Sequence, residues 1–159
     1  MLTVRKAVRG DIATLAQFNC EMARETESVE LPIARITSGV TALFDDPGKG
    51  QYWICLQNDK IAGEIIVGQL MITYEWSDWR NANFWWIQSV YTIPAARGRG
   101  VYRTLHENVI SEAKRAGACG VRLYVEHNNK GARAVYERLG MKAGPYEMLE
   151  IDFVIKRPV

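Results

Sequence analysis

The chain has 159 residues, of which 48% are hydrophobic and 24% are charged, and its formal net charge is +2. This size and composition are typical of one globular domain, and the small net charge does not favour a nucleic-acid-binding protein. No apolar run reaches the roughly 18 residues of a membrane span, and the N-terminus has charges where a signal peptide needs an apolar segment. We therefore expect a cytoplasmic protein that binds neither nucleic acid nor membrane.

The first half of the sequence predicts a strand, two helices and two further strands. Apolar residues recur at helical spacing from Ile12 to Met22, which predicts an amphipathic helix. Gly63 and Gly68 interrupt a long apolar run and indicate a bulge or a bend in a strand. In chain order, the predicted elements are a strand over residues 2–7, a helix to about residue 24, an acidic loop over 25–30, a helix over 34–44, and strands over 51–56 and 61–74.

The second half alternates strands with helices and contains no repeat or linker. Pro94 ends an aromatic strand, and Gly140 is placed to end a short helix. The predicted elements are a hairpin loop over residues 75–83, a strand over 84–93, a helix from 101 to about 117, a strand over 121–126, a helix from about 129, and a closing strand over 147–155. The sequence therefore predicts a single α/β (α+β) domain over residues 1–159.

The most informative segment runs from Val90 to Tyr102 and predicts a strand, a glycine turn and a helix. Backbone N–H groups at the start of a helix lack intrahelical partners, and the helix dipole favours an anion there. The glycines of the turn, residues 97–100, allow a ligand to approach the backbone, and Arg97 and Arg99 add positive charge. The turn is neither a P-loop nor a dinucleotide fingerprint. By itself it is compatible with a phosphate site or with an ordinary turn.

The turn resembles the CoA motif of the GNAT superfamily of N-acetyltransferases, Q/R-x-x-G-x-G/A. Residues 97–102 match this motif except at the last position, where Tyr102 replaces a small residue. A bulky side chain there would crowd or redirect the pyrophosphate. A second match, Asn129-x-x-Ala132-x-x-x-Tyr136-x-x-x-Gly140-Met141, lies at the distance downstream that is expected for the family. The two motifs together, in order and on the expected elements, identify the chain as a member of this superfamily.

The resemblance implies a mixed, mostly antiparallel sheet of six to seven strands flanked by about four helices. The parallel strands over 84–93 and 121–126 would splay apart, so that the first has unpaired backbone groups for the pantetheine arm. One N–H nearby would hold the thioester oxygen. The implied co-substrate is acetyl-CoA, with binding residues Val90, Tyr91, Thr92, Arg97, Gly98, Arg99, Gly100, Val101, Tyr102, Asn129, Ala132 and Tyr136.

The implied reaction is direct attack of an amine on the thioester carbonyl. Tyr136 is the expected catalytic acid, because a phenol can protonate the departing thiolate, although a helix tyrosine that only packs on the sheet is the alternative. The base is unassigned, since Gln88 stands in the strand where some relatives carry a glutamate. His127 adjoins the second motif, but a lone histidine at a strand end is more often a surface or hydrogen-bonded residue, and His106 is expected to be solvated.

The expected acceptor site lies near a segment rich in tryptophan and carboxylates, residues 74–86. Aromatic faces and carboxylates attract a cationic amine, so Glu75 and Asp78 are substrate-binding candidates, together with Glu27 in the acidic segment. The tryptophans could instead form the core or a dimer contact. A homodimer is therefore an expectation.

Three functions stay open within this assignment. The first is acetyl transfer to the primary amine of a small molecule, the second is transfer to a protein or peptide amine, and the third is a non-catalytic CoA-binding regulatory module. No cluster of histidine, cysteine and carboxylate has metal-ligand spacing, so we expect no metal.

Overall fold

The structure, a computed structural model, describes residues 1–59, 61 and 63–155. It contains four α-helices and five β-strands, and the order of these elements agrees with the order that the sequence predicts. The elements are β1 (Leu2–Lys6), α1 (Ile12–Glu27), α2 (Ile33–Asp45), β2 (Gln51–Asp59), β3 (Gly63–Ser77), β4 (Ala82–Thr92), α3 (Val101–Arg115), β5 (Gly120–Leu123) and α4 (Lys130–Arg138). The chain divides into two compact units, Met1–Tyr124 and the residues from Val125 on.

The strands of the first unit form one sheet in the order β1-β2-β3-β4-β5. The first four strands are antiparallel neighbours, whereas β4 and β5 pair in parallel. This parallel ladder runs only from Phe84 with Gly120 to Ile87 with Leu123. Because β4 continues to Thr92, its second half extends beyond the ladder, as the predicted splay requires.

Helices cover both faces of the sheet. Alternate residues of β2 face opposite sides: Tyr52 and Ile54 pack with Leu15 of α1 and Val40 of α2. The opposite face packs against α3, whose buried residues are Val101, Leu105, Val109 and Ala113. The two buried clusters account for the apolar patterns of β2 and α3, and they fix the start of α3 against the sheet.

The structure corrects three of the predicted boundaries. The acidic segment is not a loop as far as Glu27, because α1 continues through it and ends where Ser28 adopts a φ of 54°; glutamate is a good helix former. The predicted hairpin loop over 75–83 is shorter than expected, because β3 continues to Ser77 and β4 begins at Ala82. Polar residues can belong to these strands because an antiparallel sheet tolerates them on its solvated face.

The predicted closing strand over 147–155 is not formed in the described residues. Its alternating apolar side chains, Leu149, Ile151 and Phe153, are exposed, and a strand pattern needs a neighbouring ladder to become a strand. The five strands that form are therefore fewer than the six to seven expected.

The prediction that His106 is solvated is also wrong. His106 is buried beside the apolar stripe of α3, and burial lowers its pKa.

Gly68 of β3 allows the first residue of α3 to pack on the sheet. A Cβ atom at this position would lie 2.6 Å from Val101 Cγ1 and 3.0 Å from the Tyr91 carbonyl oxygen. We expect Gly68→Ala to lower the free energy of unfolding by about 1–3 kcal/mol, because overpacking displaces both neighbours. Urea unfolding measures this change. Gly10→Ala is the matched control, since a Cβ there meets nothing within 4 Å; equal losses in the two variants would contradict the explanation.

Candidate functional site

The second half of β4 combines an irregular backbone with an open edge, that is, an edge that pairs with no strand among the described residues. The ladder with β5 ends at Ile87, and the register with β3 shifts between Gln69 and Met71. Opposite this shift, Ser89 has a φ of 49°, which non-glycine residues rarely adopt. These features define a bulge in β4, and the three residues that follow it, Val90 to Thr92, were predicted to bind pantetheine through their backbones.

The turn after β4 leads into α3 as predicted. Gly98 and Gly100 have φ values of 72° and 85°, in the left-handed region that favours glycine. A Cβ at either residue meets nothing within 4 Å, so the backbone conformation and an open surface, rather than crowding, account for the glycines. The first intrahelical bond runs from Thr104 N to Gly100 O at 2.9 Å. The N–H groups of residues 101–103 precede it at the positive end of the helix dipole.

Two side chains of the turn have structural partners. The Arg97 Nε donates to the Thr92 carbonyl at 3.0 Å, and its Nη2 pairs with Glu25 of α1 at 2.5 Å. Arg97 therefore ties the turn to β4 and α1, and its charge is balanced by Glu25. Tyr102 packs on the core cluster, with its ring 5.7 Å from that of His106. Arg99 is exposed and adds positive charge to the turn.

The second motif lies in the unit from Val125 on, where it builds α4. The Asn129 Oδ1 accepts from Ala132 N at 3.1 Å and caps the helix, which is a strong local reason for asparagine at this position. Gly140, with a φ of 91°, follows the helix as predicted. Tyr136 is partly buried on α4, and burial raises the pKa of its phenol above the ordinary 10.0. The phenol consequently stays protonated throughout the neutral range.

Glu75, a predicted acceptor residue, is already engaged by two donors. Its carboxylate accepts from Trp86 Nε1 and, at 3.0 Å, from Arg122 Nη1. The Trp86 ring stacks on Tyr124 at 4.4 Å between centroids, and the Arg122 guanidinium lies 3.5 Å from the centre of the Phe84 ring. An aromatic surface thus exists beside β4 and β5. The charge of Glu75 within this surface is paired with Arg122.

The remaining acceptor candidates lie on different elements. Asp78 is exposed in the β3–β4 turn, where its Oδ1 accepts from Trp79 N at 2.8 Å. Glu27 is exposed at the end of α1. Glu25, in the same acidic segment, contacts the Tyr91 hydroxyl at 3.2 Å as well as Arg97. The sequence indicated that Glu25 adds negative charge, but its place in the acidic segment did not predict these two partners.

The described part of the chain holds no group of three or more histidine, cysteine, aspartate or glutamate side chains that could bind a metal ion. Among the helices of the same residues, none has both the length and the apolar character of a membrane span.

The fold and the glycine turn agree with the comparisons with known proteins. The acetyltransferase (GNAT) family model matches residues 14–141, and the chain belongs to this family. Thialysine N-ε-acetyltransferase of Bos taurus is 25% identical over 143 residues, which cover 86% of this chain and 82% of that protein. The crystal structure of a possible acetyltransferase from Clostridium difficile 630 is 40% identical, with a TM-score of 0.85, and covers 98% of this chain and 99% of that one.

A predicted acetyltransferase from Clostridium acetobutylicum, crystallised with acetyl-CoA, is 21% identical and has a TM-score of 0.75 over 96% of both chains. At this identity the likeness shows the fold. Together the comparisons confirm the family that the two sequence motifs predicted, and they confirm its mixed sheet with one parallel strand pair.

Proposed function

We propose that the chain transfers an acetyl group from acetyl-CoA to the primary amine of a small molecule, by direct attack in a ternary complex. The observation that carries this proposal is the continuity of β4 with the glycine turn. The strand extends beyond its parallel partner at Ile87 and leads into a turn with two left-handed glycines that opens α3. An extended amide chain ending in a pyrophosphate has the shape that such a strand and helix start would bind.

In this proposal the backbones of Val90, Tyr91 and Thr92 bind the pantetheine amides, and the N–H groups of the turn and of the first turn of α3 bind the pyrophosphate. Residues 97–102 supply the phosphate site, and Asn129 and Ala132 flank the CoA arm. The Arg97 side chain holds the turn in place through Glu25 and Thr92.

The acetyl-thioester supplies an activated carbonyl carbon. The neutral amine attacks this carbon, the carbon–sulfur bond breaks, and the sulfur leaves as a thiolate that takes the phenol proton of Tyr136. The amine loses one proton to water, and the phenolate recovers one from solvent, so protons balance over the cycle. The raised pKa of Tyr136 supports this role, because the acid form is the one required.

A small cationic acceptor is favoured by the aromatic surface at Trp86 and Tyr124 and by the exposed carboxylates Asp78 and Glu27. Glu75, whose carboxylate forms an ion pair with Arg122, would contribute negative charge to the acceptor site. The bovine relative, whose name states that it acetylates the ε-amine of thialysine, supports an amine on a small molecule. We propose that the protein acts in the cytoplasm as a homodimer. We expect it to bind neither nucleic acid nor membrane.

The test is CoA release from acetyl-CoA, followed with a thiol reagent over polyamines, amino acids, aminoglycosides and peptides. We expect turnover with one class of small amines, and mass spectrometry of the acceptor should show one added acetyl group. A preference for peptides over every free amine would favour a protein acetyltransferase. Binding of acetyl-CoA without turnover would favour the regulatory module, and no binding at all would refute the proposal.

A further inference from the structure

A chain of buried polar side chains connects four elements beneath the bulge of β4. Asn19 of α1 donates from Nδ2 to the Tyr52 hydroxyl of β2 at 2.9 Å, and its Oδ1 accepts from Gln69 Nε2 of β3 at 2.8 Å. Gln69 Nε2 also donates to the Ser89 carbonyl oxygen at 3.3 Å. Burial raises the pKa of the Tyr52 phenol, and its neighbours Asn19 and Ser89 lower it. The network therefore holds the backbone of Ser89 through its carbonyl oxygen.

The network is an unusual feature for an apolar core. Gln69 is completely buried, and Asn19 and Tyr52 are more than nine-tenths buried. Among the described residues, Gln69 Oε1 has no hydrogen-bond partner, and a buried unpaired acceptor destabilises the fold. An apolar side chain would fill the same space without that penalty, so stability alone does not explain the amide.

The hydrogen bond to Ser89 determines where the next N–H points. A trans peptide plane holds its C=O and N–H on opposite sides, and the described residues contain no cis peptide bond. Because the Ser89 carbonyl oxygen accepts from the Gln69 side chain, the Val90 N–H points away from that side chain. On its β5 side this part of β4 has no ladder partner among the described residues, since the ladder with β5 ends at Ile87.

We infer that Gln69, Asn19 and Tyr52 are positioning residues, which hold the Ser89 bulge so that the Val90 N–H faces the open edge of β4 and donates to the acetyl-thioester oxygen. This inference rests on the proposed function, since it requires acetyl-CoA to lie along β4. The three side chains act through the backbone and do not touch the substrate. A donor held in this way strengthens its hydrogen bond as negative charge develops on the oxygen during attack.

Infrared spectroscopy of bound acetyl-CoA, labelled with ¹³C at the thioester carbonyl, tests the inference without any acceptor. A hydrogen bond from Val90 N–H polarises the carbonyl and lowers its stretching frequency relative to free acetyl-CoA. We expect this shift in the wild type, and we expect Gln69→Met and Tyr52→Phe to lose about half of it or more. The Kd for acetyl-CoA should change by less than about threefold, because the other contacts remain.

The matched control is Gln51→Met, which removes from β2 an amide whose buried Nε2 atom has no hydrogen-bond partner among the described residues. The control should retain the wild-type carbonyl frequency. With an acceptor identified, kcat should fall by about tenfold or more in the two network variants and stay unchanged in the control. A purely structural role would lower the melting temperature and leave the carbonyl frequency as in the wild type.

The outcomes separate this inference from the proposed function. A wild-type shift that both variants keep would overturn the inference while acetyl transfer stands. Absence of the shift in wild-type protein that binds acetyl-CoA would do the same. Failure of the wild type to bind acetyl-CoA would overturn the proposed function and the inference with it. If Gln69→Met does not fold, Tyr52→Phe, which deletes one oxygen atom, carries the test.

Discussion

Replacement of Tyr136 by phenylalanine is expected to lower kcat by about 100-fold and to leave KM for acetyl-CoA within about threefold of the wild type. The phenol would protonate the departing thiolate, a contribution that exists in the transition state and not in the bound substrate. Because phenylalanine keeps the ring, packing on α4 is retained. Steady-state kinetics with the acceptor found in the CoA-release screen measures the change.

The control for this variant is Tyr146→Phe, which removes an exposed hydroxyl from the same unit and should retain wild-type kcat. The pH profile gives a second check. Since burial raises the pKa of Tyr136, the acid stays protonated and kcat should not fall on its account between about pH 7 and 9. A Tyr136→Phe enzyme with undiminished kcat would remove Tyr136 from the chemistry.

Replacement of Gly98 by alanine is expected to raise KM for acetyl-CoA by about tenfold or more. The residue has a φ of 72°, and alanine in this left-handed region is disfavoured by roughly 1–2 kcal/mol. The added Cβ would also occupy open surface at the turn, where the proposed pyrophosphate approaches the backbone. Isothermal titration with CoA measures the loss directly, without any need for an acceptor.

Gly117→Ala provides a matched control at the opposite end of α3. Gly117 has nearly the same φ, 73°, and a Cβ there also meets nothing within 4 Å. Both variants should therefore lose similar stability, whereas only Gly98→Ala should lose affinity for CoA. Equal affinities in the two variants would show that the turn at Gly98 serves the fold and does not bind phosphate.

The sequence predicted the local features of the site well, because each depends on neighbouring residues. The strand, the glycine turn and α3 follow from alternation, from Pro94 and from glycines that the structure places in the left-handed region. The cap of α4 likewise depends on Asn129 and on Ala132, three residues later.

Contacts between distant residues could not be predicted in the same way. The bond from Gln69 to Asn19 joins residues 50 apart in sequence, and the pair of Arg122 with Glu75 joins residues 47 apart. Nothing in the local pattern distinguishes Gln69 from any polar residue within a strand. The burial of His106 was missed for a related reason. A helix packed on a broad sheet also buries residues that lie beside its main apolar stripe.

Amide NMR of the ¹⁵N-labelled chain titrated with CoA would show where CoA lies on this fold. If CoA lies along the open edge of β4 and over the turn, the largest shift changes will fall on the amides of residues 90–92 and 98–103. The amides of β1 and of the β2–β3 connection should stay unchanged. Binding whose shift changes avoid both β4 and the turn would contradict the placement of acetyl-CoA, and with it the mechanism proposed for this chain.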